Sequence, residues 1–323
     1  MIANSGEYRK KNGQRGYVMM NNFIFENKTK VYFGKGGVKE YLGGLLANFG
    51  ETVMLAYGGG SIKCNGVYDE IMGILNAQGQ CVVEFSGIMS NPTYAKVQEG
   101  AKLARENHVD LILAVGGGSV SDCCKVISGA FDTLSHAMET YFGKPDENNL
   151  SDDINEAVMR SVIRSIRVLL TDLENYDARS EPAGASAMAE NGVLKIGKVT
   201  DFQAHQIQHQ LGAYTDCNHG AGLAVIHPVL YRHIYKSGTA RFTRWAQNVW
   251  GIAPKGSDEE TAAAGIDALA AFIKEIGLLT TFTELGIPAD TDFHAVADST
   301  NITAGCCKKL TRDEICEILQ EYL

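Results

Sequence analysis

Three short apolar, β-type runs constrain this chain most, because each is followed by a helical stretch and all three precede residue 128. They are Val53-Met-Leu-Ala-Tyr57, Cys81-Val-Val-Glu-Phe85 and Leu111-Ile-Leu-Ala-Val115. Amphipathic helical periodicity fills about 66–78, and again the stretch after the loop Ser86–Pro92 through about 107. Strands alternating with helices make βαβ units, hence a parallel sheet with helices on its faces. From Ala130 onward the strand signal nearly vanishes. Helical segments are expected near 130–142, 151–172, 184–195, 200–211, 220–234, 239–249, 258–276 and 311–321, punctuated by Pro145, Pro182, Pro228 and Pro254. The expected fold is an α/β domain over 20–128 followed by an all-α domain over 129–323. Residues 1–19, with Arg9, Lys10, Lys11 and Arg15, read as a disordered leader, and Met20 as an alternative start.

Length supports the division, since 323 residues exceed one typical core. Hydrophobic residues at 45% and charged residues at 21% are the balance of a soluble globular protein. A net charge of -9 offers no basic face for nucleic acid or an anionic membrane. No apolar run reaches the length of a membrane span, and the start lacks a signal-peptide core. The eight cysteines form no CxxC pair, so reduced thiols and a cytoplasmic location are the simplest expectation. Cys217 reads as a bystander near the residues considered next.

Asp132 and His136 lie four apart in Phe131-Asp-Thr-Leu-Ser-His136, so a helix presents both on one face. His205 and His209 repeat that spacing, and His219 follows a short turn. One carboxylate with three imidazoles, Asp132, His136, His205 and His219, suits Fe²⁺ or Zn²⁺ and leaves a position for a substrate or water oxygen. A lone Asp-x-x-x-His is a chance pattern; the whole combination favours a metal over coincidence. His108 and His294 read as surface residues, His227 and His233 as structural ones.

Gly58-Gly-Gly-Ser61 and Gly116-Gly-Gly-Ser119 each follow a strand and precede a helix. Bare backbone there lets N–H groups approach a phosphate at a helix N-terminus. The alternative is a pair of tight βα turns, and two such turns upstream of a metal site favour phosphate binding. Neither has the GxGxxG spacing. The first ends its strand without an acid and is followed by Lys63, which leaves room and a cation for a 2′-phosphate and so points to NADP(H).

The stretches Gly129–Tyr141 and His205–Gly220 resemble the two metal-ligand segments of the iron-containing alcohol dehydrogenase family. Gly116–Asp122 resembles its pyrophosphate loop, Gly58–Lys63 the adenosine-side loop of its NADPH-dependent butanol dehydrogenase branch, and Ser90-Asn91-Pro92 another family loop. The resemblance implies metal ligation by Asp132, His136, His205 and His219, with His209 assisting proton movement. It implies dinucleotide contacts from Gly58, Gly59, Gly60, Ser61, Lys63, Asn91, Gly116, Gly117, Gly118, Ser119 and Asp122. A Rossmann-like nucleotide domain, a helical metal-binding domain, a cleft between them and a homodimer are implied likewise. The activity implied is alcohol dehydrogenase or aldehyde reductase on short primary alcohols such as butanol, with NADP(H) and Fe²⁺.

One departure stands out. Ser128 runs directly into Gly129, and about 70–90 residues typical of the family are absent there, so the nucleotide domain is expected to be truncated. The missing stretch normally adds strands and a nicotinamide-facing loop. Its loss is expected to leave an apolar sheet edge at Leu111–Val115. Two other readings stay open: a non-catalytic, metal-binding remnant, and a relative on the same scaffold, such as a polyol-phosphate dehydrogenase or a dehydroquinate-synthase-like lyase.

Overall fold

A strand that is apolar at every position needs cover on both faces, and Val53–Tyr57 receives it. The computed structural model describes residues 30–88, 94–116, 123–145, 148–302, 305 and 307–322, with backbone alone for Ser61, Tyr94 and 123–128. Its first half runs α1 (Gly37–Leu46), β1 (Thr52–Tyr57), α2 (Ser61–Cys64), α3 (Val67–Ala77), β2 (Cys81–Phe85), α4 (Tyr94–Glu106) and β3 (Leu111–Val115). The three strands form one parallel sheet ordered β2-β1-β3, in register Leu55 with Glu84 and with Leu113. On one face Val53, Leu55 and Tyr57 pack with Leu46, Ile71 and Leu75. On the other, Met54 and Ala56 pack with Phe85 and Leu103. Among the described residues β3 pairs only with β1, and Ile112 is 60% exposed. Among the described residues the edge of β3 is therefore unpaired and partly apolar, in line with the expectation from the sequence.

The second half is helical: α5 (Cys123–Tyr141), α6 (Leu150–Leu169), α7 (Tyr176–Glu190), α8 (Gln203–Thr215), α9 (His219–Ile234), α10 (Thr239–Asn248), α11 (Asp258–Glu275), α12 (Phe293–Ser299) and α13 (Arg312–Gln320). Reciprocal capping boxes, Asn149 with Asp152 and Thr311 with Glu314, fix the starts of α6 and α13. One apolar core joins α5 through α13. At its centre Phe142 stacks on Phe242 at 4.0 Å, with Trp245 edge-on to Phe142 at 5.5 Å. Buried Asp152 accepts from Lys198 and from Arg241, each at 2.6 Å, and both cations also donate to the Tyr141 carbonyl. That network ties α5, α6 and α10 together.

Two sequence expectations need correction. The helix expected from about 130 begins at Cys123 as α5. The helix expected near 184–195 runs Tyr176–Glu190 as α7 with Pro182 inside it, whereas Pro228 lies within α9 as the expected helix 220–234 requires. At Pro228 the Tyr322 hydroxyl accepts from the Val229 N–H at 2.6 Å and donates to the Ile226 carbonyl at 3.1 Å. A distant side chain thus satisfies the backbone groups beside the proline.

Candidate metal centre and dinucleotide turns

The helix α5 carries Asp132, His136 and Glu139 at i, i+4 and i+7, on one stripe. The helix α8 faces that stripe with His205, and α9 opens on His219. Two non-glycine residues in the left-handed region bound α8, Phe202 at φ 55 and Asp216 at φ 54. Such backbone is costly unless surroundings hold it. Phe202 is held against the rings of His136 and His205, at 5.3 and 5.0 Å. Asp216 makes the sharp turn that brings α9, and with it His219, back toward His205.

Three of the four expected donors, Asp132, His205 and His219, share one cluster, and His136 adjoins it beside Asp132 and His205. Asp132 Oδ1 lies 3.3 Å from His205 Nε2, 3.4 Å from His219 Nε2 and 3.7 Å from His136 Nε2. His205 Nε2 and His136 Nε2 are 3.1 Å apart. Donor atoms of Asp132, His205 and His219 all lie within 4.8 Å of one another. The residues fit a cation on two counts. Asp132 Oδ1 is buried yet makes no hydrogen bond, and one carboxylate with three imidazoles is a set that binds Fe²⁺ or Zn²⁺.

Two further residues, which sequence reasoning missed, set the tautomers. Glu139 is buried and accepts from the His205 Nδ1–H, from the Ala204 N–H at 2.6 Å and from the His205 N–H at 3.3 Å. It therefore caps α8 and turns the His205 Nε2 lone pair inward. Gln208 Oε1 accepts from His219 Nδ1–H and does the same there. Glu139 stood three residues after His136, and Gln208 lay inside the quoted His205–His209 motif. Their spacing on the ligand faces was the available signal.

Charge follows from this arrangement. Burial works against ionised Asp132, but contacts with His205 and then His219 outweigh it and hold the carboxyl below the usual range. His205 is raised to about 9, because Glu139 and Asp132 overcome a burial penalty that acts the other way. His136 is lowered by burial and then by the neighbouring His205. His209 stacks on His219 at 5.2 Å and faces solvent. Partial loss of hydration, then His219, lowers it. Cys217 is buried with its Sγ against Gln208, outside the donor set. His227 is buried against Ser135, and His233 pairs with Glu321.

Of the dinucleotide residues, Gly58, Gly59 and Gly60 form the turn between β1 and α2, whose first residue is Ser61. A Cβ at Gly58 would lie 3.0 Å from the Ile88 carbonyl, so a larger residue there would press on that backbone. Lys63, expected as a free cation, sits 3.6 Å from Glu84. That carboxylate also accepts from Tyr57 and Tyr68 at 2.5 and 2.6 Å. Gly116 ends β3, while Asn91, Gly117, Gly118, Ser119 and Asp122 lie outside the described residues.

Comparison with known proteins identifies the family. A sequence model of the Fe-containing alcohol dehydrogenase family, C-terminal, matches residues 126–323, and one of iron-containing alcohol dehydrogenase matches 28–157. The chain belongs to the iron-containing alcohol dehydrogenase family. It is 30% identical over 395 residues to a probable NADH-dependent butanol dehydrogenase 2 of Bacillus subtilis, covering 94% of this chain and 100% of that one. It is 26% identical to the NADPH-dependent aldehyde reductase YqhD of Escherichia coli, covering 83% and 90%. The fold matches NADH-dependent butanol dehydrogenase A of Thermotoga maritima with a TM-score of 0.87 at 26% identity, over 94% and 99%. The chain is shorter than these relatives. No helix among the described residues is long and apolar enough to cross a membrane.

Proposed function

We propose that this chain is a metal-dependent, NAD(P)-linked alcohol dehydrogenase or aldehyde reductase acting on short primary alcohols such as butanol. The observation that carries it is the convergence of Asp132, His136, His205 and His219 within a fold of this family. When bound, a divalent cation supplies Lewis acidity toward a carbonyl or alkoxide oxygen, and the nicotinamide supplies or takes the hydride. The four side chains would hold the cation, Fe²⁺ by family and Zn²⁺ by donor type. Glu139 and Gln208 fix the imidazoles so that Nε2 lone pairs face inward. His209, with its ring beside His219 and open to water, passes the proton between solvent and the substrate oxygen. Lys63, next to the Gly58–Gly60 turn, supports NADP(H) as the dinucleotide, with Glu84 tempering that preference. The remaining parts of the proposal are a two-domain division at 128/129, a cytoplasmic location and a homodimer.

The test is turnover: metal-reconstituted full chain is assayed for NADPH and NADH oxidation with butyraldehyde. Oxidation that depends on both aldehyde and metal supports the reading, and folded, metal-loaded protein without turnover sinks it.

One observation favours a second reading. Among the described residues the sheet has three strands and an unpaired edge at β3, as in a remnant that keeps its metal but has lost its dinucleotide site. Calorimetric titration with NADPH separates the two, since the remnant binds metal and little or no dinucleotide.

A further inference from the structure

The turn Gly58–Gly60 is tied to the end of β2 as well as to that of β1. The Gly87 N–H donates to the Gly58 carbonyl at 2.9 Å, and the Ile88 N–H to the Tyr57 carbonyl at 3.3 Å. On its far side, the Lys63 and Cys64 N–H groups both donate to the Gly60 carbonyl, at 3.0 and 3.2 Å. Backbone therefore fixes the turn from both directions. Glu84 is the next-to-last residue of β2, opposite Leu55 in the sheet. The strand before the turn ends without an acid, and its neighbour brings one to the same end of the sheet.

Four polar or charged groups meet there. The Tyr57 and Tyr68 hydroxyls donate to Glu84 Oε2 and Oε1 at 2.5 and 2.6 Å. The Lys63 ammonium lies 3.6 Å from Oε2 and 4.5 Å from the centre of the Tyr68 ring. The Tyr57 and then the Tyr68 hydroxyl hold the Glu84 carboxyl below the usual range, so it is ionised at neutral pH. Each carboxylate oxygen has two acceptor positions, and Glu84 is 41% exposed, so it keeps room for a further donor. In a dinucleotide fold an acid at this place accepts from a ribose 2′-hydroxyl, whereas a cation nearby takes a 2′-phosphate. This turn carries both groups, and they are already paired with each other.

We propose that Glu84 sets cofactor choice at this turn, offering an acceptor to a 2′-hydroxyl and holding Lys63 back from a 2′-phosphate. The inference rests on the proposed dinucleotide site at Gly58–Gly60 and deepens it. A 2′-phosphate entering here gains Lys63 only by drawing it away from Glu84, and it then faces the bare carboxylate. NADH meets neither cost. The preference that Lys63 gives for NADP(H) is thereby kept small, and the carboxylate decides how small.

The experiment titrates the full chain calorimetrically with NADPH and with NADH at low ionic strength. Parent, Glu84→Gln, Lys63→Ala and Tyr68→Phe are compared, with circular dichroism checking each fold. Glu84→Gln removes one negative charge at similar shape and is expected to shift the ratio of the two affinities toward NADPH by about 5–10-fold. That shift is expected to shrink in high salt, because the cluster is exposed. Lys63→Ala is expected to move the ratio toward NADH. Tyr68→Phe removes a hydroxyl but no charge and is expected to leave the ratio nearly unchanged. An unchanged ratio in Glu84→Gln, or an equally large shift in Tyr68→Phe, overturns the inference. A parent chain that binds neither dinucleotide overturns the site at Gly58–Gly60 itself, a distinguishable failure.

Discussion

In β3, Ile112 stands 60% exposed on a strand paired along one side, while Trp245, Phe142 and Phe242 in the helices are fully buried. The chain is also shorter than its relatives, one of which aligns over 395 residues against the 323 here, and among the described residues β3 has an unpaired edge. The helical half keeps one continuous core from α5 to α13, and every proposed metal donor lies in it. The proposed metal binding is therefore expected to be separable from the proposed dinucleotide binding, because the proposed donors all lie in the helical half.

That contrast can be broken by mutation, and the largest effect belongs to the helical core. Trp245→Ala is expected to cost about 3–5 kcal/mol in denaturant titration, since the ring is fully buried among Phe142, Tyr231 and Trp250. A loss below about 1 kcal/mol would mean that the helical half is as loosely packed as the sheet. Next comes Glu139→Gln, which weakens the acceptor behind His205 Nδ1. Metal affinity is expected to fall about 10–100-fold, read by competition with a chromogenic chelator, with dinucleotide affinity unchanged.

The pH dependence sharpens the same comparison. His205 is raised from 6.5 to about 9 in the folded, metal-free chain. Its contribution to stability is therefore complete below about 6.5 and disappears as pH rises through about 9. Melting of the metal-free protein is expected to show that decline, and His205→Gln to remove it. The smallest effect is at the sheet edge. Ile112→Lys is expected to change stability by no more than about 0.5 kcal/mol, while lowering self-association measured by light scattering.

The strands and the donors were legible in the sequence for a common reason: both are periodic. Apolar runs marked β1, β2 and β3 to within one residue, and a spacing of four placed Asp132 and His136 on one face. What sequence missed depends on partners far along the chain. The Tyr322 hydroxyl that serves the Val229 N–H and the Ile226 carbonyl beside Pro228 comes from the far end of the chain. Lys63 reads as a free cation until β2 brings Glu84 beside it. Glu139 is a single acid on a helix until α8 folds over it and exposes two N–H groups to its carboxylate. Pro182 marks a helix start in sequence, yet α7 begins at Tyr176 and carries Pro182 in its interior, four residues beyond the buried Ala178.

The shared cation is tested most directly by titrating chelator-stripped full chain with Zn²⁺ and counting ions. One ion per chain is expected, with binding abolished in an Asp132→Ala, His205→Ala double variant that still folds. Tight binding that survives this double substitution, or no binding by the parent chain, would contradict the account.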